Sequence, residues 1–215
     1  SVYLIEEPVA AAIGAGVDIT GPEGMMVIDI GGGTTDIAVI SLGGIVTSTS
    51  VKIAGDRFDD AIIKYMRKKY SLFIGERMAE KLKKEIGCAY EGEEMYRAVC
   101  KGRDLVTGLP RSIEVGSEEI LEALDEPLDV ICEATHSVLE KTPPELAADV
   151  GEYGIMITGG GAYLRGIDKR ISSRTGIAAR IADDAESCVA RGTGESLKYI
   201  DIISRNSLNR RETYI

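Results

Sequence analysis

The sequence predicts an α/β fold, and two observations carry that expectation. Apolar runs of strand length, Met25 to Ile30, Ile37 to Ser41, Ile45 to Ile53 and Gly154 to Thr158, alternate with longer segments of helical period. Two of these runs end in glycine triplets, Asp29-Ile30-Gly31-Gly32-Gly33-Thr34-Thr35-Asp36 and Thr158-Gly159-Gly160-Gly161-Ala162. Three successive residues without Cβ let backbone N–H groups converge on an anion such as a nucleotide phosphate. Asp29, at the end of its strand, is placed to hold a hydrated Mg²⁺ beside the phosphates, and Thr34 adds a hydroxyl at the loop exit. One glycine-rich turn is often only a turn. Two, each fed by a buried strand and one flanked by acidic and hydroxyl residues, favour a phosphate site.

In chain order, Pro8 to Val17 is a helix of small residues, opened by Pro8 behind the Glu6-Glu7 pair and ended by Gly14 and Gly16. Asp18 to Gly24 is a polar loop. The next three strands are separated by Gly31-Gly32-Gly33 and Gly43-Gly44, which suits an antiparallel meander, and the apolar content of Met25 to Ile30 implies burial on both faces. Gly55-Asp56 opens a helix in which Phe58, Ala61, Ile62, Tyr65 and Met66 recur at core spacing, with Asp56 and Asp59 at its positive end. Gly75 to Ile86 is a second helix, with Met78, Leu82 and Ile86 inward and Glu76, Glu80, Lys83 and Lys84 on the charged side. Cys88 to Val115 alternates at Tyr96 to Cys100 and Ser112 to Val115 around Gly108-Leu109-Pro110, predicting a small two-stranded insertion.

Ser117 reads as the N-cap of the following helix, with Ile120 standing where a capping box has its reaching carboxylate. An interior proline costs about 3 kcal/mol in a helix, so Pro127 predicts a break, with one helix to about Leu124 and a second from Pro127 through Leu139. Thr142-Pro143-Pro144 closes that second helix, and Pro144 to Val150 is a short one. After the strand Gly154 to Thr158 come a helix from Leu164 to Thr175 stopped by Gly176, a strand from Ile177 to Ala182, a glycine-interrupted helix from Ala185 to Leu197 and a frayed polar tail from Asn206 to Ile215.

Composition narrows the function classes. The 215 residues are 44% hydrophobic, ample for a core, and carry a net charge of −10 with a pI near 4.8. That charge argues against nucleic acid as a partner, because phosphate neutralisation needs a basic face. No apolar run approaches the ~20 residues of a membrane span. The four cysteines, Cys88, Cys100, Cys132 and Cys188, are widely spread and form no CxxC pair, so neither a zinc site nor a disulfide framework is expected, and a reducing cytoplasm fits. His136 is the sole histidine and reads as a helix-surface or interface residue, since a catalytic imidazole needs a placed partner.

The order Leu4-Ile5-Glu6-Glu7-Pro8, the first glycine motif, Gly75-Glu76-Arg77, Thr107-Gly108-Leu109-Pro110, Leu139-Glu140-Lys141-Thr142-Pro143-Pro144-Glu145-Leu146 and the second glycine triplet resembles the bacterial MreB and Mbl family. The glycine loops alone point only to the superfamily of actin and heat-shock-chaperone ATPases; the Glu-Lys-Thr-Pro-Pro-Glu-Leu and Thr-Gly-Leu-Pro segments look specific to the MreB branch, over the chain to about Ile203. The resemblance implies an actin-like, ribonuclease H-like ATPase fold with ATP and Mg²⁺ as cofactors. Asp29 and residues Gly31, Gly32, Gly33 and Thr34 then look like the second phosphate loop, and Gly159, Gly160, Gly161 and Ala162 like the segment bordering adenosine. Glu80 and Lys83 look like ribose and adenine contacts from a smaller lobe. Glu7 is similar to the residue that positions the attacking water, with Thr34 beside the γ-phosphate, roles that suit phosphoryl transfer to water. Read without the resemblance, Glu7 also serves as a helix-dipole residue, and Glu80 with Lys83 as a solvated charged face.

The resemblance further implies lobes: 17–52 and 116–185 as the second large lobe, 53–115 as its small insertion, and 1–16 with 186–215 as segments returning toward a first lobe. An intact member begins with an Asp-x-Gly-Thr hairpin, which the chain does not show, so it reads as a fragment. The apolar faces of Val9 to Ile13 and Val189 to Leu197 are therefore expected to lie bare. The implied function is that of a filament-forming cytoskeletal protein that guides cell-wall synthesis and rod shape. Its partners would be copies of itself, head to tail, and the wall-elongation machinery, and it would lie in the cytoplasm at the inner face of the membrane, with the membrane-contacting parts outside these residues. A chaperone ATPase domain, a sugar or acetate kinase of the same superfamily, and a nucleotide-binding structural subunit without hydrolysis are the competing readings.

Overall fold

The computed structural model of the chain describes residues 4–199; the expected polar tail from 206 onward lies outside them. The first helix, α1 (Glu7–Gly14), is shorter than its sequence pattern and buries residues 9–14. Three strands follow, β1 (Met25–Ile30), β2 (Thr35–Ser41) and β3 (Gly44–Val51), in the expected antiparallel meander. The β2–β3 turn has only two residues, Leu42 and Gly43, both at positive φ, a backbone that matches the twist of the paired strands. In β1, residues 26–30 are all buried, as a strand covered on both faces requires.

The chain then builds a second, smaller sheet. Helix α2 (Gly55–Tyr70) buries Phe58, Ile62 and Met66, while Ala61 and Tyr65 are only half-buried, so its core stripe is narrower than predicted. A short strand β4 (Leu72–Phe73) leads to α3 (Glu76–Ile86), in which Ala79 rather than Met78 joins Leu82 and Ile86 in the core. Strands β5 (Arg97–Asp104) and β6 (Pro110–Gly116) pair around the predicted turn, but β4 adds to β5 and the sheet has three strands, not two. Two residues of alternation are too few to be read as a strand from sequence; the edge of β5 recruits them.

Helix α4 (Ser117–Lys141) corrects two expectations. It runs unbroken through Pro127, because buried side chains on both flanks, Leu124, Leu128, Ile131 and Cys132 among them, hold the two halves to one surface. Their packing outweighs the bond that Ala123 C=O loses for want of an N–H at residue 127. Its N-cap is Gly116, not Ser117, which places Glu119 at the third helical position, where its carboxylate accepts the Gly116 N–H at 3.0 Å. The reaching carboxylate absent from the predicted frame is therefore present one residue earlier. Ser117 itself is buried and its hydroxyl accepts the Tyr96 N–H at 3.0 Å.

Helix α5 (Pro144–Tyr153), strand β7 (Ile155–Thr158), a 3₁₀ turn at Gly160–Tyr163, helix α6 (Ile167–Thr175), strand β8 (Ala179–Ile181), a 3₁₀ turn at Ala185–Ser187, helix α7 (Cys188–Glu195) and a last 3₁₀ turn at Ser196–Tyr199 complete the described chain. The larger sheet has the order β3-β2-β1-β7-β8, with β1, β7 and β8 parallel. Helices α1 and α7 pack tightly on one another, and α1 also meets β1 and β2. Val9 to Ile13 are consequently 0–5% exposed, so the apolar face expected to be bare is covered; Leu197, at 67%, is the large apolar side chain of that pair that remains open.

Candidate functional site

Parallel pairing of β1 with β7 sends both glycine segments out of the larger sheet at the same end, the C-terminal end at which open α/β sheets receive ligands. Residues 31–34 form a four-residue loop closed by Gly31 N–H donating to Thr34 O at 2.9 Å. Its carbonyls are held from behind, since Gly55 N–H donates to Gly31 O at 3.1 Å and Asp56 N–H to Gly32 O at 2.8 Å. The start of α2 thus gives two N–H groups that have no partner within the helix to this loop. Gly32, Gly33 and Thr34 remain exposed.

The second segment presses against the first. Gly159 has φ +82°, and a Cβ there would lie 2.3 Å from Ile30 O and 2.9 Å from Asp29 Oδ1. A Cβ on Gly161 would lie 2.2 Å from Ile30 Cγ2. Glycine is therefore required at both positions by the close approach of the β7 exit to the end of β1. Gly160 is exposed with open space beside it, and Ala162 is buried, so the accessible part of the triplet is its middle.

Asp29 sits between the segments, 4% exposed, and its Oδ1 accepts the Thr158 hydroxyl at 2.7 Å. Burial lifts its carboxyl above the ordinary range; the Thr158 bond opposes the shift, and Asp36, its register partner on β2, adds repulsion. Glu7, in the first turn of α1, is likewise raised by burial and then by Asp29 and Asp36. Three carboxylates from three elements therefore act as one electrostatic group. Asp36 belongs to the motif read from the sequence, but no role followed for it there; the signal was the loop length, which makes 29 and 36 cross-strand partners.

This donor set is all oxygen and suits a hard cation. Among the described residues, no group of three or more His, Cys, Asp or Glu side chains lies close enough to hold a metal ion directly.

Lys83 and Glu80 come to the same end of the sheet from α3, but not as a mutual pair. Lys83 Nζ donates to Gly55 O and to Asp59 Oδ2, each at 2.9 Å, with both side chains largely buried. Glu80 is exposed and pairs with Lys84 at 2.7 Å, which lowers its carboxyl. His136 lies elsewhere, its Nε2 2.7 Å from Arg174 O, tying α4 to the end of α6. A groove of about 620 Å³ between α2 and α4, floored by Ile53, Ala61, Pro127 and Val130, contains none of these site residues.

Known proteins resemble this chain in sequence and in fold. The MreB/Mbl protein family matches residues 1–205. The cell shape-determining protein MreB of Escherichia coli is 54% identical over 201 residues, 94% of this chain and 58% of that protein. Mbl of Bacillus subtilis is 49% identical over 208 residues, 97% of this chain and 62% of the relative. The chain thus spans about three-fifths of the length of these relatives. Among solved structures, MreB5 of Spiroplasma citri bound to ADP superposes with a TM-score of 0.89 at 44% identity, covering 94% of this chain and 61% of that one. A MamK double helical filament, at TM-score 0.72 and 22% identity, shares the actin-like fold. With a family match over nearly its whole length and half its residues identical to both MreB and Mbl, the chain belongs to the MreB/Mbl family of cell shape-determining, actin-like proteins.

Proposed function

We propose that this chain supplies the phosphate and adenosine loops of an ATP-binding, filament-forming protein that sets rod shape by guiding cell-wall synthesis from the cytoplasmic face of the membrane. The observation that supports it most is the meeting of residues 31–34 and residues 159–162 beside buried Asp29, with the Glu7 carboxylate close enough to feel its charge and Lys83 behind the loop on Gly55 O. Solved relatives bound to ADP and to AMPPNP agree with a nucleotide there. The chaperone and kinase readings are not favoured, since cell shape-determining relatives match 94% of the chain. No helix among the described residues is long and apolar enough to cross a membrane.

In this reading Asp29 and Asp36 would hold a hydrated Mg²⁺, which would offset phosphate charge when bound. Gly32 and Gly33 present backbone N–H groups to phosphate oxygens, Thr34 donates its hydroxyl, and Gly160 faces the adenosine. Glu80, free to leave Lys84, and the unused N–H of Lys83 reach the ribose and base. Glu7 accepts a hydrogen bond from the attacking water and orients it toward the terminal phosphorus, so its effect belongs to slow hydrolysis rather than to binding. Residues 17–52 and 116–185 form the second large lobe and 53–115 the small one, the latter supported by the separate β4-β5-β6 sheet; 1–16 and 186–215 belong with the first lobe.

The family's first phosphate loop contributes metal and phosphate contacts that these 215 residues do not carry. Calorimetric titration of the 215-residue chain with Mg-ATP should therefore show binding at least about a hundredfold weaker than a complete family member, the equivalent of ~3 kcal/mol of lost contacts. A submicromolar dissociation constant would show that the site is complete without that loop.

A further inference from the structure

Lys83 occupies an unexpected place for an adenosine contact. Two of its three ammonium donors are committed to the protein, one to Gly55 O and one to Asp59 Oδ2. Gly55 in turn donates to Gly31 O, and its neighbour Asp56 donates to Gly32 O. The three groups meet at ordinary van der Waals distance: a Cβ built on Gly55 would lie 3.5 Å from Gly31 O, 3.6 Å from the Gly32 Cα and 3.6 Å from Lys83 Nζ. Asp59 fixes the other side of the ammonium, and both partners are only about 15% exposed, so solvent competes weakly for the bond.

We infer that Lys83 is a positioning residue for the 31–34 loop, acting through Gly55, and that the Lys83–Asp59 pair ties α3 to α2, whose first residues hold the phosphate-facing loop of the larger sheet. The inference rests on reading 31–34 as the phosphate loop for its functional meaning. Its structural content, that a helix carrying a cation stiffens a glycine loop two hydrogen bonds away, stands by itself. Three consecutive glycines are the least constrained backbone available, so a loop that must present N–H groups to a nucleotide phosphate gains most from such a brace. It also makes loop order depend on how α3 sits against α2. Asp59 Oδ1 is buried and has no partner among the described residues, so the carboxylate is held by Lys83 through its other oxygen, and losing Lys83 leaves it unsatisfied.

Amide hydrogen exchange on the whole chain separates this role from simple packing. In Lys83→Met, which keeps the apolar stem, the amides of Gly31, Gly55 and Asp56 should exchange at least tenfold faster, while those of Phe58 and Ile62 further along α2 stay as they are. Asp59→Asn should produce the same pattern to a smaller degree, Lys83→Arg should restore most of the protection, and Lys81→Met on the exposed face of α3 should change none of these amides. Faster exchange confined to α3, or no change at Gly31 in both Lys83→Met and Asp59→Asn, overturns the inference. A second arm titrates ADP and adenosine into the same proteins. Loop positioning predicts that Lys83→Met weakens ADP at least tenfold more than it weakens adenosine; equal losses for both ligands would make Lys83 a base or ribose contact and nothing else. If a complete protein containing this chain binds neither ligand, the phosphate-loop reading fails, and the exchange data still decide the positioning role.

Discussion

At the scale of single residues, the chemistry of the site turns on carboxylates that sit close to one another. Asp29 shows this most clearly. Its raised pKa means that the fold takes up its proton at a pH where the unfolded chain is still ionised, so its contribution to stability is greatest at low pH and is lost as pH rises through the folded value. Asp29→Asn removes the charge but leaves Oδ1 to accept the Thr158 hydroxyl. We expect its melting temperature to exceed that of the unsubstituted chain at neutral pH, with the gain shrinking as pH falls toward the ordinary carboxylate range. A lower melting temperature at neutral pH would mean that the fold needs the charge. Glu7→Ala, tested in a complete protein containing this chain, should slow phosphate release tenfold or more and leave nucleotide affinity within about twofold, because an oriented water matters in the transition state. Thr34→Ala should slow it too, with some loss of affinity. Unchanged steady-state hydrolysis in Glu7→Ala would reduce Glu7 to a helix-start residue. The sequence showed each of these side chains but not their mutual distance, which the β1–β2 register and the start of α1 supply.

At the scale of elements, the α1–α7 contact depends on glycine. A Cβ on Gly192 would fall 1.8 Å from Ala10 O, and one on Gly14 would fall 1.8 Å from Cys188 O, so the two backbones touch where side chains normally intervene. Arg191 seals the contact by donating from Nε to Gly14 O at 2.8 Å. Gly192→Ala should therefore cost about 2–3 kcal/mol or more, since backbone must move to admit the methyl group. Gly194, two residues on in the same helix, has nothing within 4 Å of where a Cβ would sit, and Gly194→Ala should stabilise by up to about 1 kcal/mol through helix propensity alone. Urea melts of both variants check the pair; equal effects would show that the close approach does not constrain the fold. Sequence reading saw the glycines as interruptions in a helix. It misjudged Pro127 for the matching reason: local propensity argues for a break, and the buried flanks of α4 override it.

At the scale of the whole molecule, assembly is the property to measure. In the proposed filament, the large lobe of one subunit meets the small lobe of the next, a heterologous contact that does not close and so propagates. Sedimentation velocity over a concentration series should show weight-average mass rising gradually. The apolar stretch of α1, one of the two surfaces expected to be open to a closed two-fold contact, is not available, since Val9 to Ile13 are buried, with α1 packed on α7 and the sheet. A sharp, concentration-independent dimer would therefore count against head-to-tail association and point to some other surface.

By itself the sequence determined the α/β class, the three-strand meander, both glycine loops and the family, because each rests on local spacing or on motifs that need no partner to be read. Only the tertiary structure decided which end of which strand those loops share, that Asp36 joins Asp29 and Glu7, that Lys83 bonds Gly55 O and Asp59 while Glu80 pairs with Lys84, and that β4 and the unbroken α4 exist. The physical reason is common to all of them. Each depends on contacts between residues far apart in the chain, where burial and packing set the outcome and local propensity is one small contribution among several.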